Sequence, residues 1–187
     1  MEKFSLLFSL PESLQISIAI LVAKSGATQL RPLIVSRRQG YELAFHSNVL
    51  RAESLDYPAV TPILVNEDST FRSFICRCAL ARNPNAFYLE SLRLTIQYGA
   101  LEKSAQLLRN IVAPSQKMSF AFALILFSSH RYNEAVAVMN KFKEVAGSFD
   151  EDVFVCQCVY WDIESIGPLN RVLFTTTWQQ YMLFPPN

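Results

Sequence analysis

Residues 10–26 read LPESLQISIAILVAKSG, and the fold of the N-terminal region turns on them. Pro11 and Glu12 stand where a first helical turn tolerates a missing amide proton and favours a negative charge. Leu14, Ile18, Leu21 and Val22 follow at i, i+4, i+7 and i+8, which is one apolar face of a helix. Lys24, Ser25 and Gly26 supply its end.

Outward from that helix, Thr28 is expected to cap a second one through Leu30, Leu33, Ile34 and Arg37, with Pro32 removing a backbone hydrogen bond inside it. Gly40 is expected to break or bend the chain. Tyr41, Leu43, Ala44 and Phe45 make a further apolar turn, and Val49, Leu50 and Leu55 suggest another. Residues 56–69, with Pro58, Pro62, Asn66 and Asp68, read as a linker.

The helical period is more regular beyond it. Phe71, Phe74, Ile75 and Cys78 lie at i, i+3, i+4 and i+7 before an Asn83-Pro84 stop. Tyr88, Leu92 and Ile96 form the next face, up to Gly99. Leu101, Ala105, Leu108 and Val112 form another, ended at Pro114. Residues 120–127 are apolar nearly all round, as a central buried helix requires, and Ala135, Val138, Met139 and Phe142 supply a narrower stripe ending before Gly147. Residues 84–112 and 115–146 therefore read as two helical pairs of tetratricopeptide or Sel-like size, in which Ala86 matches Ala121 and Ala105 matches Ala135. Val153 to Tyr160 has the β-branched and aromatic content of a strand, and Leu169 to Phe184 shows no period, so 147–187 is read as a tail of uncertain order.

The fold class expected is mainly α. A short helical unit over 1–56 is followed by a linker at 57–68, an antiparallel helical-hairpin repeat over 69–146 and the tail. The chain has 187 residues, 51% of them hydrophobic, enough for a packed core. Seventeen basic against sixteen acidic side chains leave a charge of +1, which provides no field for nucleic acid or an acidic membrane. The mean hydropathy of +0.18 hints at apolar surface covered by something else. Ile16 to Ala23, interrupted by Ser17, falls far short of the roughly twenty residues that span a bilayer, and Pro11 and Glu12 interrupt any signal-like apolar run. Four cysteines in two Cys-x-Cys pairs make no disulfide framework, which points to the cytosol or nucleus.

Chemistry has little support in the residues. Cys76 and Cys78 on a helix point about 200° apart around its axis, so they cannot share a metal ion without unwinding it. A zinc-dependent module is a third alternative. His46 and His130 fall at helix ends or in loops with no nucleophile elbow or zinc-protease pattern beside them, and none of the five glycines forms a phosphate-cradling loop. No catalytic residue, cofactor site or metal ligand is assigned.

Leu10-Pro11-x-x-Leu14 with Ile18 and Leu21, then Leu33-x-Val35-Ser36-Arg37, Glu42-Leu43-Ala44, Val49-Leu50 and Ser54-Leu55-Asp56 together resemble an F-box. Its combination with a Sel-like region resembles a family of plant F-box proteins. Ser36 stands where that family carries Cys, and Gln39 where it carries an aromatic residue. Cys156-x-Cys158-x-x-Trp161-Asp162 looks like the beginning of the family's C-terminal Cys-rich segment. The resemblance implies a three-helix unit whose outer face binds the Skp adaptor of a cullin-based ligase, with Leu10, Pro11, Leu14, Ile18, Leu21, Leu33 and Val35 forming that face or supporting it. It implies a non-catalytic role in ubiquitination, with an unidentified protein target held by the repeats. The alternative is a helical-repeat scaffold with no link to ubiquitin, its first helices acting as a cap.

Overall fold

The computed structural model describes residues 5–55, 65–111, 114–145 and 147–167, which form helices and turns with no strand among them. Two compact units, Met1–Phe87 and Tyr88–Asn187, are distinguished.

The first unit contains α1 (Ser5–Phe8), α2 (Glu12–Lys24), α3 (Ala27–Ile34), α4 (Arg38–Ala44), α5 (Ser47–Ala52) and α6 (Arg72–Leu80). Helix α2 packs against α3, α4 and α5. Its fully buried residues are small: Ala19 and Ala23 form one core with Leu30, Leu33, Leu43, Ala44 and Val49. The amide of Ser54 donates to the Ala23 carbonyl at 3.1 Å and ties the segment after α5 to the end of α2. Residues 12–52 thus form four helices where the resemblance implies three.

The boundaries differ from expectation for local reasons. Gly26, at φ 111°, occupies the N-cap of α3, so Thr28 lies inside the helix rather than capping it. Pro32 is also interior and leaves the Thr28 carbonyl without its helical donor. The break falls at Val35–Arg37 rather than at Gly40, which is buried within α4. A Cβ at Gly40 would lie 2.6 Å from the Leu33 carbonyl oxygen and 2.0 Å from Ser36 Oγ, so this glycine permits close packing of α4 on the end of α3. His46 caps α5 by accepting from the Asn48 amide at Nδ1, in keeping with its expected helix-end place.

Helix α6 belongs to the first unit, where it packs against α5, with Ile75 and Cys78 buried. An aromatic cluster links it to α4: Phe45 meets Phe74 edge-on at 6.0 Å, and the Arg77 guanidinium lies 4.6 Å from the Phe45 ring centroid. Residues 56–64 of the expected linker lie outside the described residues. Its remainder includes Val65, which is fully buried.

The boundary between units falls inside α7 (Pro84–Tyr98). The second unit continues with α8 (Leu101–Arg109), α9 (Gln116–Ser128), α10 (Tyr132–Val145) and α11 (Phe149–Ile166). Helix α8 runs to Arg109, and Val112, expected on its apolar face, lies outside the described residues. The apolar α9 is central, since α8, α10 and α11 all pack on it. Ala86, Ala105, Ala121 and Ala135, the small residues matched between the two expected pairs, are all buried.

Val153 to Tyr160 is helix, not strand. Ser148 caps α11 by accepting from the Glu151 amide, and Glu151 Oε2 accepts from the Gly147 amide, an arrangement close to a capping box. Asp150, Glu151 and Asp152 add negative charge to the first turn. Val155, Val159 and Ile166 are buried at helical spacing, and this period outweighs the β propensity of the individual residues. Of the expected tail, 149–166 is therefore ordered as helix, whereas Leu169 to Phe184 lies outside the described residues. Replacing Ser148 by Ala is expected to lower stability by about 1 kcal/mol. The urea midpoint of the full chain, followed by helical circular dichroism, reads that change.

Candidate docking face

Helix α2 is apolar on nearly every side, and its neighbours can cover only part of it. Ala19 and Ala23 face the core, and Ile16, Ile20 and Val22 are partly buried against it. Leu14, Ile18 and Leu21 lie on the outside, 50%, 38% and 64% exposed. Their i, i+4, i+7 spacing places them in one stripe. The reason is steric as well as hydrophobic, because alanines at the centre of one side of α2 allow three short helices to approach it closely while Leu14, Ile18 and Leu21 remain opposite.

Leu10 and Pro11, ahead of the stripe, are also exposed, and Pro11 is the N-cap of α2. The Gln15 side-chain Nε2 donates to the Leu10 carbonyl at 2.7 Å and holds this approach to the helix. Val35, at the C-cap of α3, is 71% exposed. Leu33 has the opposite placement: it is buried in the core, so it supports the unit and cannot itself contact a partner. Leu6, 78% exposed on α1, was not among the expected docking residues.

Within unit one, Asn83 and Glu53 hold positions that sequence reasoning missed. The Asn83 side chain donates to the Leu50 and Glu53 carbonyls at 2.8 and 2.7 Å and accepts from the Ala86 amide at 3.1 Å. It joins the end of α5 to the start of α7. The Asn-Pro pair signals only the local boundary. Glu53 is buried with neither carboxylate oxygen hydrogen-bonded, and burial pushes its pKa up to about 8. Burial, assisted by the charge of Glu53, pushes the Cys78 thiol up to about 12, which makes it an inert core residue rather than a nucleophile.

In the second unit Asp162 receives a hydrogen bond from the Tyr88 hydroxyl at 2.6 Å and an ion pair from Lys117 at 3.0 Å. The Trp161-Asp162 pair is thereby divided: Asp162 ties α11 to α7 and α9, and Trp161 is 65% exposed. Among the described residues, no group of three or more His, Cys, Asp or Glu side chains is arranged to hold a metal ion. No described helix is long and apolar enough to cross a membrane.

No protein-family model matches the chain, and no match is found among curated proteins or solved structures.

Proposed function

We propose that this protein is a substrate-receptor subunit of an SCF-type ubiquitin ligase, with its N-terminal helices binding the Skp adaptor and its C-terminal helices holding a target protein. The supporting observation is the exposed Leu14, Ile18 and Leu21 stripe on a helix whose other side already closes a core. Three short helices packed on one side of α2 leave these side chains for another polypeptide to cover, as an apolar helix face enters a groove. Each covered Leu or Ile contributes about 1.5–3 kcal/mol from buried area before association costs. The mechanism is proximity: the protein performs no bond chemistry, and tethering a target beside the ubiquitin carrier raises its effective concentration.

A pull-down on purified Skp adaptor tests this directly. The unmodified protein is expected to be retained, and Leu14→Asp combined with Ile18→Asp is expected to abolish retention. Because both positions face solvent, the variant should keep the parent's helical circular dichroism and unfold at a similar urea concentration. A well-folded parent that shows no binding at micromolar adaptor points instead to the scaffold reading, in which this face caps the chain's own helices.

A further inference from the structure

The second unit carries an apolar groove of about 440 Å³ between α10 and α11. Phe120 of α9 and Phe142 lie along it, with Phe149, Asp152, Val153 and Tyr160 on the α11 side. Phe149 is 79% exposed and Tyr160 55%, which is poor use of large apolar surface if nothing covers it. Asp152 Oδ1 is buried without a hydrogen-bond partner, so an occupant that brings a donor gains more than area.

The sequence following α11 has the matching chemistry. Residues 172–187 carry no charged side chain, and they include Phe174, Trp178, Tyr181, Leu183 and Phe184, with donor groups on Trp178, Gln179, Gln180 and Tyr181. Reach is sufficient. Helix α11 is about 27 Å long, and the roughly eleven residues from Gly167 to Trp178 span up to about 36–40 Å when extended. We propose that the α10–α11 groove is a docking site for residues 174–184 of this same chain, which enter it apolar side first and offer a donor to Asp152. An intramolecular occupant has the advantage of high effective concentration, and any other ligand for the groove must displace it. This inference stands apart from the adaptor reading and is tested without the adaptor.

The test uses the full chain with Trp161→Phe, which leaves Trp178 as the single tryptophan. Trp178 emission is expected to be blue-shifted and shielded from iodide, unchanged on tenfold dilution. Adding Phe149→Ser and Val153→Ser, both at exposed positions, is expected to return it to the quenching of a free indole. A second measurement avoids altering the groove: Cys156, which also lines it, is alkylated with iodoacetamide and the modified peptide is quantified by mass spectrometry. If the segment occupies the groove nine-tenths of the time or more, Trp178→Ala, Tyr181→Ala and Phe184→Ala together raise the alkylation rate about tenfold or more. Free-indole quenching in the starting protein overturns the proposal, as does an unchanged Cys156 rate. Shielding that weakens on dilution overturns it in favour of a second copy as occupant.

Discussion

Asn83→Ala is expected to lower the stability of the protein by about 3–5 kcal/mol, a large effect for one uncharged side chain. The residue is fully buried, and its amide group makes contacts in two directions. Its nitrogen donates to the carbonyls of Leu50 and Glu53, with a longer 3.3 Å contact to that of Arg51. Its oxygen accepts from the Ala86 amide in the first turn of α7. Alanine therefore removes a helix cap, at about 1 kcal/mol, and leaves buried carbonyls and an amide unpaired, each costing about 1–3 kcal/mol before relaxation. These losses share one site and do not simply add. Asn83→Asp sharpens the test, because it keeps the capping acceptor while turning the two donors into an anionic oxygen facing carbonyls. It too should destabilise, and acidification should partly restore it. Urea denaturation of the three proteins reads both results, and a loss below about 1 kcal/mol for Asn83→Ala would show that the network carries little of the stability.

The second large effect is a dependence on pH centred on Glu53. Its carboxyl is raised from 4.5 to about 8 by burial, with no hydrogen bond to favour the anion. Below about pH 4.5 the folded and unfolded chains both hold this proton, and the group costs nothing through ionisation. Between about 4.5 and 8 the unfolded chain releases the proton and the folded chain keeps it, so stability falls by about 1.4 kcal/mol per pH unit. Above about 8 the anion is buried and the full penalty, on the order of 3–5 kcal/mol, stands. Glu53→Gln remains neutral throughout. Its stability should approach the parent's near pH 4.5 and exceed it by several kcal/mol near pH 8. Urea midpoints measured across that range distinguish the outcomes: parallel curves for parent and variant would mean that this carboxyl is already solvated in the folded chain.

The two effects arise at one place in the fold, from residues thirty positions apart in the chain. Asn83 secures the Glu53 backbone carbonyl, whereas the Glu53 carboxyl has no comparable partner. The stretch after α5 is therefore fastened through its main chain and strained by its side chain, which neither residue's sequence neighbourhood reveals.

The outward stripe on α2 was legible early because helical spacing groups Leu14, Ile18 and Leu21, although it also placed with them Val22, which is partly buried against the core. Spacing could not separate Leu33 from Val35, two residues apart and equally apolar, because the end of α3 turns one into the core and the other into solvent. The groove of the second unit was hidden for a related reason. Reading 153–160 as a strand gave its residues a two-residue alternation, whereas the Ser148 cap and the buried Val155, Val159 and Ile166 establish a helical face that leaves Phe149, Val153 and Tyr160 beside α10.

The amino-acid order by itself determined that the chain is mainly helical, where most helices run, and which of their faces are apolar, since these depend on side chains within four positions of each other. Tertiary structure decided which apolar faces are closed and which stay open, that α6 packs with the N-terminal helices, and that Asn83 meets Glu53 and the end of α5 from about thirty residues further along the chain. Those outcomes depend on close approach between segments some thirty residues apart, and a local period contains no information about which distant surface will arrive to cover it.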